Sequence, residues 1–223
     1  TKKSMANKAF IFDLNGTIIN DMAFHELVWH RMLRENLGVN ISMEETKKNM
    51  YGKNEEVLER ILGEGVLTAQ KMHDFSIAKE TAYQEAFLPH LELIAGLGDL
   101  FEKAYQNNIP MGIGTAAIPF NVDYIIDNLP VRKYFRSIVT ASDVQTSKPD
   151  PEVFLKCAAE LGVAPQNCIV FEDAPKGVEA ARNGGMKAVA ITTYHTAADF
   201  SLFENVLMVV EDYRDEKLNG LFQ

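Results

Sequence analysis

Short apolar runs alternate along this chain with segments whose apolar residues recur at helical spacing. The first run, residues 8–12, ends in Asp13-Leu14-Asn15-Gly16-Thr17, which is typical of a buried strand with a polar loop at its carboxyl end. Residues 21–91 carry apolar positions at helical spacing without a convincing strand, which predicts a helical insertion. After Gly96, strands and helices alternate to the end of the chain.

The alternation of strands and helices after Gly96 predicts a mostly parallel sheet. The predicted strands cover residues 110–114, 137–140, 168–171, 188–191 and 206–210, and the predicted helices cover residues 97–106, 120–129, 151–161 and 176–183. Strands that alternate with helices indicate an α/β fold, here a doubly wound, Rossmann-like sheet covered on both faces. We expect residues 1–20 and 92–223 to form this core and residues 21–91 to form an inserted α-helical domain. In such sheets ligands bind beyond the carboxyl ends of the strands.

Composition narrows the possible partners. The chain has 223 residues, with 22 Lys and Arg against 31 Asp and Glu, so its net charge of −9 does not favour nucleic acid or anionic lipid. No apolar run reaches the roughly 18 residues that span a bilayer, and the polar opening, residues 1–8, lacks a signal-peptide core. We therefore expect a cytoplasmic protein with no nucleic-acid or membrane partner. The two cysteines, Cys157 and Cys168, are expected to be reduced and structural.

Reactive side chains follow the first two predicted strands of the core. Asp13 stands at the end of the first strand, where Gly16 permits a sharp turn, although an aspartate there is also typical of an ordinary turn. At the next strand end, the Thr115 hydroxyl and nearby N–H groups could hold an anion. Residues 112–117 also match G-x-G-x-x-A, but they do not follow the first strand and lack the acidic partner of a dinucleotide site.

Two later loops add one cation and two carboxylates. Pro149 favours an extended Lys148, whose ammonium could then reach the strand-end crevice, the alternative being a solvated surface lysine. Glu172 and Asp173 directly follow a buried strand, and adjacent carboxylates repel each other unless a cation lies nearby. Hard oxygen ligands of this kind favour Mg²⁺, which usually bridges to a substrate phosphate.

In this order the motifs resemble those of the haloacid dehalogenase-like superfamily. The matching residues are Asp13-Leu14-Asn15-Gly16-Thr17, Thr115, Lys148-Pro149 and Glu172-Asp173. The helical insertion resembles the α-helical cap of that family, and residues 21–29, with His25 and Trp29, resemble its β-phosphoglucomutase-like branch.

The resemblance implies a role for each matching residue. Asp13 would be the nucleophile that forms an aspartyl-phosphate, and Thr115, Ala116 and Lys148 would bind the phosphoryl oxygens. Mg²⁺ would be held by Asp13, the main-chain oxygen of Asn15 and Asp173, with Glu172 alongside. In the cap, further substrate contacts are expected from Gly52, Lys53 and Asn54.

Two positions depart from the family pattern. Family phosphatases and mutases usually carry a second aspartate where this chain has Asn15, and an amide cannot protonate the leaving oxygen. The enzyme would then be slow, or would use another proton donor such as His25, or would carry an engineered asparagine. His25 could instead be a packed residue at a helix start.

The second departure lies in the insertion. Mutases of this branch place an arginine where this chain has Glu55, which would repel a second phosphate, although Lys53 could partly substitute.

The residues and the resemblance together predict a Mg²⁺-dependent phosphohydrolase that acts on a small phosphorylated metabolite such as a sugar phosphate. We expect the protein to be a monomer. A phosphohexose mutase is one alternative. A catalytically impaired phosphate-binding protein, which has lost its proton donor at Asn15, is another.

Overall fold

The α/β part of the molecule is built on a sheet of six parallel strands. The computed structural model describes residues 8–223, so the expectations for residues 1–7 lie outside the described residues. In chain order the strands are β1 (Ala9–Phe12), β2 (Met111–Gly114), β3 (Phe135–Val139), β4 (Cys168–Glu172), β5 (Lys187–Ile191) and β6 (Val206–Val210). They lie in the order β3-β2-β1-β4-β5-β6. The predicted α/β fold with a mostly parallel sheet is confirmed.

Helices cover both faces of this sheet. They are α5 (Leu97–Gln106), α6 (Pro119–Asn128), α7 (Glu152–Leu161) and α8 (Pro175–Asn183). On one face, Phe12 of β1 stacks on Phe171 of β4 with ring centroids 4.5 Å apart and meets Phe101 of α5. On the other face, Ile11 and Val170 belong to a buried cluster with residues of α7 and α8. Cys157 and Cys168 are free thiols in this cluster, as predicted.

The strand order creates a crevice at the carboxyl ends of β1 and β4. The chain runs outward from β1 through β2 to β3, and then returns to the other side of β1 with β4. In open α/β sheets this reversal point is where ligands bind. Phe12 is paired with Phe171, and the Asp13 N–H donates to the carbonyl of Phe171 at 3.0 Å. Asp13 and Glu172 are therefore the next residues on two hydrogen-bonded neighbouring strands.

The insertion is entirely helical in its regular elements. It contains α1 (Met22–Leu37), α2 (Met43–Asn49), α3 (Asn54–Leu62) and α4 (Ala69–Phe87). Ser42 caps α2 because its hydroxyl accepts from the Glu45 N–H while Glu45 accepts from the Ser42 N–H. Trp29, Leu33 and Tyr83 lie in the buried interior of this part of the chain.

The described chain separates into two compact units. The α/β unit comprises the residues up to Asn20 together with Glu92–Gln223, and the helical unit comprises Asp21–Leu91. Within residues 8–223, no helix has the length and apolar character that a bilayer crossing requires.

Candidate active site

Asp13, which is buried, forms an ion pair with the half-buried Lys148 at the carboxyl edge of the sheet. The Lys148 ammonium donates to Asp13 Oδ1 and to Glu172 Oε1, at 2.7 Å in each case. Its Nζ lies 4.7 Å from the centre of the Phe154 ring of α7. The lysine is thus directed into the crevice and is not a solvated surface residue.

Glu172 is held at both of its carboxylate oxygens. Oε1 accepts from Lys148, and Oε2 accepts from the Ala174 N–H at 2.9 Å. The side chain packs against Gly177 in the first turn of α8, where an added Cβ would lie 1.8 Å from Oε1. Glycine at this position therefore leaves the space that the carboxylate occupies.

Asp173 lies against the loop that follows β1. The Thr17 hydroxyl, which is fully buried, donates to Asp173 Oδ1 at 3.4 Å. An added Cβ at Gly16 would lie 2.2 Å from Asp173 Oδ2, and Gly16 has a φ of +77°. Gly16 is therefore required both for the turn and for the close approach of this carboxylate.

The three carboxylates suit a divalent cation. One oxygen from each of Asp13, Glu172 and Asp173 can be chosen so that all three lie within 4.8 Å of one another, and all three residues are buried. Lys148 offsets only part of the negative charge if all three are ionised. An all-oxygen donor set with an excess of negative charge fits Mg²⁺.

Burial shifts the protonation equilibria of the ion pair. It raises the pKa of the Asp13 carboxyl to about 7, and the neighbouring Glu172 acts in the same direction, while Lys148 opposes both. For Lys148, burial by itself lowers the pKa of the ammonium, but Asp13 and Glu172 outweigh it and the pKa lies above its usual value. Lys148 therefore remains a cation, and Asp13 needs further positive charge to be fully ionised at neutral pH.

The other predicted residues of the α/β unit lie at the same edge. Thr115 follows β2, next to β1, and its hydroxyl accepts from the Ala117 N–H at 3.0 Å, which leaves the hydroxyl proton available to donate. Ala116 lies between them and is half-buried. Asn15 is half-buried in the turn after β1, where it forms an isolated bridge with Ile19.

His25 belongs to a buried polar cluster in the helical unit. Its Nδ1 lies 2.8 Å from Lys79 Nζ and its Nε2 lies 3.2 Å from Asp21 Oδ2. The ring stacks on Tyr83 with centroids 3.8 Å apart, and the Tyr83 hydroxyl donates to Asp21 at 2.5 Å. An ammonium can only donate, so Nδ1 accepts and the proton of the neutral ring is assigned to Nε2.

The predicted cap residues lie at the start of α3. Gly52 has a φ of +81°, and the Lys53 N–H donates to the Glu56 side chain. The Asn54 amide donates to Glu80 Oε1 at 2.8 Å, which connects α3 to the buried cluster in α4. Glu55 stands in the first turn of α3 and is half-buried.

Sequence reasoning missed several buried residues in both units. Lys79 and Glu80 form an ion pair at 2.8 Å, with the lysine side chain 2% exposed and the glutamate side chain 5% exposed. In the α/β unit it named Thr17 only as the last residue of the Asp13 motif and gave it no role. It missed Tyr213, whose hydroxyl donates to the Thr17 carbonyl at 2.8 Å.

Comparison with known proteins identifies the family of this chain. The family model described as haloacid dehalogenase-like hydrolase matches residues 10–191. A fructose-1-phosphate phosphatase of Escherichia coli is 32% identical over 81% of this chain and 94% of its own. A β-phosphoglucomutase of Bacillus subtilis is 31% identical over 82% of this chain and 83% of its own.

Solved structures have the same fold. A β-phosphoglucomutase from Clostridium difficile superimposes with a TM-score of 0.83 at 26% identity, covering 97% of this chain and 96% of that chain. A hydrolase of family IA, variant 3, from Entamoeba histolytica gives a TM-score of 0.84 at 26% identity, covering 96% of this chain and 99% of that chain. The resemblance noted in the sequence is confirmed, and the chain belongs to the haloacid dehalogenase-like hydrolase family.

Proposed function

We propose that this chain is a Mg²⁺-dependent phosphohydrolase that acts on a small phosphorylated metabolite through an aspartyl-phosphate on Asp13. The observation that carries the proposal is the position of Asp13. It lies at the reversal point of the sheet, is bound by Lys148 at 2.7 Å, and belongs to a cluster with two further buried carboxylates. The sugar phosphatases among the relatives support hydrolysis of a sugar phosphate.

Asp13 would act as the nucleophile. One of its carboxylate oxygens attacks phosphorus, the O–P bond forms while the bond to the substrate oxygen breaks, and the substrate leaves as an alcohol once that oxygen is protonated. Water then attacks the phosphorus of the acyl-phosphate, and phosphate is released with Asp13 regenerated. Both steps depend mainly on positioning and on charge neutralisation.

Lys148 and Thr115 would bind the transferred phosphoryl group. The Lys148 ammonium is held by two carboxylates and keeps its charge, so it can bind a phosphoryl oxygen as negative charge develops there. The Thr115 hydroxyl proton and the N–H of Ala116 would bind further phosphoryl oxygens. These contacts orient phosphorus toward Asp13.

Oxygen atoms of four residues would hold Mg²⁺. They belong to the carboxylates of Asp13 and Asp173, to the main-chain carbonyl of Asn15 and, alongside them, to Glu172. When bound, the ion supplies positive charge that favours ionised Asp13 and offsets the charge of the phosphoryl group. The acidic corner has the oxygen donors for this, and Gly16 and Gly177 leave room for the carboxylates.

Because residue 15 is an asparagine, the loop after β1 offers no second carboxylic acid that could protonate the leaving oxygen of the substrate. We propose a slow enzyme that favours substrates whose leaving group needs little protonation. The alternative donor, His25, stays a prediction. Its Nε2 proton is directed to Asp21 within the helical unit, so a donor role requires that this contact be given up. We assign residues 21–91 as the cap and the remaining residues as the catalytic core.

A metal-dependent activity screen tests the proposal. Phosphate release is measured from a panel of sugar phosphates and from p-nitrophenyl phosphate, with Mg²⁺ and with EDTA. We expect turnover only with Mg²⁺, and no turnover for Asp13→Asn. Asp143→Asn is a matched control because Asp143 lies outside the acidic cluster, at a helical turn after β3. Turnover in EDTA, or turnover by Asp13→Asn, would contradict the proposal.

A mutase is the second candidate because two of the similar proteins are named β-phosphoglucomutases. Glu55 and the missing arginine weigh against it. A phosphorus NMR assay of a hexose 1-phosphate with a bisphosphate primer separates the two. A mutase gives the 6-phosphate without net phosphate release, and a phosphatase gives inorganic phosphate.

A further inference from the structure

The loop after β5 contacts both of the loops that carry the acidic residues. The Thr193 hydroxyl donates to the Gly16 carbonyl at 2.5 Å, and His195 Nδ1 lies 3.0 Å from the Asp173 carbonyl. Gly16 is in the turn that follows Asp13, and Asp173 follows β4. One short segment, Thr193–His195, is thus hydrogen-bonded to the backbone on both sides of the acidic corner.

The acceptors fix the direction of both hydrogen bonds. A carbonyl oxygen can only accept, so the Thr193 hydroxyl donates and His195 carries a proton on Nδ1. These bonds act on backbone carbonyls, so they leave the carboxylate oxygens of Asp13 and Asp173 available for other partners. The Gly16 carbonyl is also one peptide unit beyond that of Asn15, a proposed metal ligand.

The segment is itself anchored to the sheet. Thr192 donates to the Val210 carbonyl at the end of β6 through its N–H, at 2.9 Å, and through its hydroxyl, at 3.3 Å. The His195 ring is flanked by Tyr194 and Phe200, with centroids at 5.3 and 6.3 Å. The two donors are therefore presented by a fixed framework and not by a free loop.

We propose that Thr193 and His195 are positioning residues that hold the Asp13 turn and the Asp173 loop at the separation that binds Mg²⁺. This inference rests on the proposed function. Neither side chain touches the metal or the substrate in this role. Each acts through a backbone carbonyl, in the way that outer partners orient metal ligands, and loss of such partners typically lowers metal affinity about 10- to 100-fold.

Direct Mg²⁺ binding tests the inference independently of activity. Isothermal titration calorimetry of the metal-free protein with MgCl₂ gives Kd for the wild type and for two pairs of variants. Thr193→Val and His195→Leu remove the donors, and we expect each to raise Kd about tenfold or more. Thr193→Ser keeps the hydroxyl, and His195→Asn offers an N–H near the position of Nδ1, so both should stay within about threefold of the wild type.

Thr196→Val is the control in the same loop. Its hydroxyl donates to Asp199 and not to the acidic corner, so Mg²⁺ affinity should be unchanged. Circular dichroism and the unfolding temperature in EDTA identify any variant that fails to fold, and the Ser and Asn variants then decide the question.

The outcomes separate this inference from the proposed function. If the wild type binds Mg²⁺ and His195→Leu and Thr193→Val bind it equally well, the positioning roles are wrong and the proposed function stands. If the conservative variants lose as much affinity as the others, the hydrogen bonds are not the cause and the inference is again wrong. Failure of the wild type to bind Mg²⁺ would overturn both.

Discussion

At the residue scale, the most consequential position is Asn15. The other residues that the proposed phosphoryl transfer would use lie together: Asp13, Lys148, which keeps its charge, and the paired acids Glu172 and Asp173. The turn around Asn15 is formed normally, since the Gly16 N–H donates to the Ile19 carbonyl at 2.8 Å. In the proposed mechanism, an amide at this position therefore changes proton transfer and not the local fold.

Asn15→Asp should accordingly increase turnover. A carboxyl group at this position can protonate the leaving oxygen, so we expect kcat on a sugar phosphate to rise at least tenfold. The increase should be much smaller for p-nitrophenyl phosphate, whose leaving group is already stable as an anion. Equal or lower activity on the sugar phosphate would mean that the site already has its own acid.

Gly16 is a second residue with a specific consequence. In Gly16→Ala the new Cβ would lie 2.2 Å from Asp173 Oδ2, so the carboxylate must move and we expect kcat to fall about 100-fold. Gly185→Ala is the matched control, since its φ is also positive, +74°, but no atom lies within 4 Å of its Cβ. Both variants should lose about 1–2 kcal/mol of stability from the backbone. Equal loss of activity in both would contradict the steric argument.

At the element scale, the alternating strands and helices after Gly96 were predictable from the sequence. The helical insertion was predictable only in outline. Helix α5 and strand β6 have the predicted bounds, and the other strands and helices after Gly96 differ by at most two residues at either end. Buried parallel strands are short apolar runs, and helices between them are amphipathic, so both have a clear pattern. In the insertion, the pattern indicated helices but did not divide residues 21–91 into the four that form.

The buried polar cluster of the helical unit also could not have been predicted from the sequence. Lys79 and Glu80 are adjacent charged residues in a helix, a pattern typical of a solvated face. They are buried because each finds a partner: Lys79 contacts Glu80 and His25, and Glu80 also accepts from Asn54. Such partners come from three different helices and leave no local signal in the sequence.

This cluster predicts a change in the pH dependence of stability. Burial alone would raise the pKa of Glu80, but the charge and hydrogen bond of Lys79, together with the hydrogen bond from Asn54, act against it, and the pKa falls from 4.5 to about 2. The ionised form therefore stabilises the fold above about pH 4.5, and this contribution is lost as the pH falls toward 2. A shift of this size corresponds to about 3 kcal/mol.

Glu80→Gln should lower the free energy of unfolding by about 3 kcal/mol at pH 7. Its free energy of unfolding should also depend less on pH below pH 4.5. Urea unfolding at a series of pH values measures both effects. Glu85→Gln, at an exposed position of the same helix, should change stability by less than about 0.5 kcal/mol. A Glu80→Gln protein as stable as the wild type at pH 7 would contradict the assigned ion pair.

At the scale of the whole molecule, the sheet order explains how distant segments form one site. Asp13, Lys148 and Glu172 are far apart in sequence, yet parallel strands bring their carboxyl ends to one edge, and the reversal point lies between β1 and β4. The sequence therefore predicted which loops meet. It did not predict the hydrogen bonds from Thr193, His195 and Tyr213, because these depend on the loops after β5 and β6, which follow no periodic pattern.

The same topology predicts that Mg²⁺ stabilises the α/β unit, because all three carboxylates belong to it. At a Mg²⁺ concentration of about 100 times Kd, binding to the folded state alone adds about 2.7 kcal/mol, which corresponds to a rise in Tm of about 5–10 °C. Calorimetry in Mg²⁺ and in EDTA measures this rise.

The variant Asp173→Asn should abolish the rise in Tm. In EDTA it should melt no lower than the wild type, because one of three mutually repelling carboxylates is removed. Asp99→Asn, at an exposed position of α5, should retain the full rise. A full rise in Asp173→Asn would place the ion elsewhere, and Asp13 would then lack the further positive charge that it needs, besides Lys148, to be fully ionised at neutral pH.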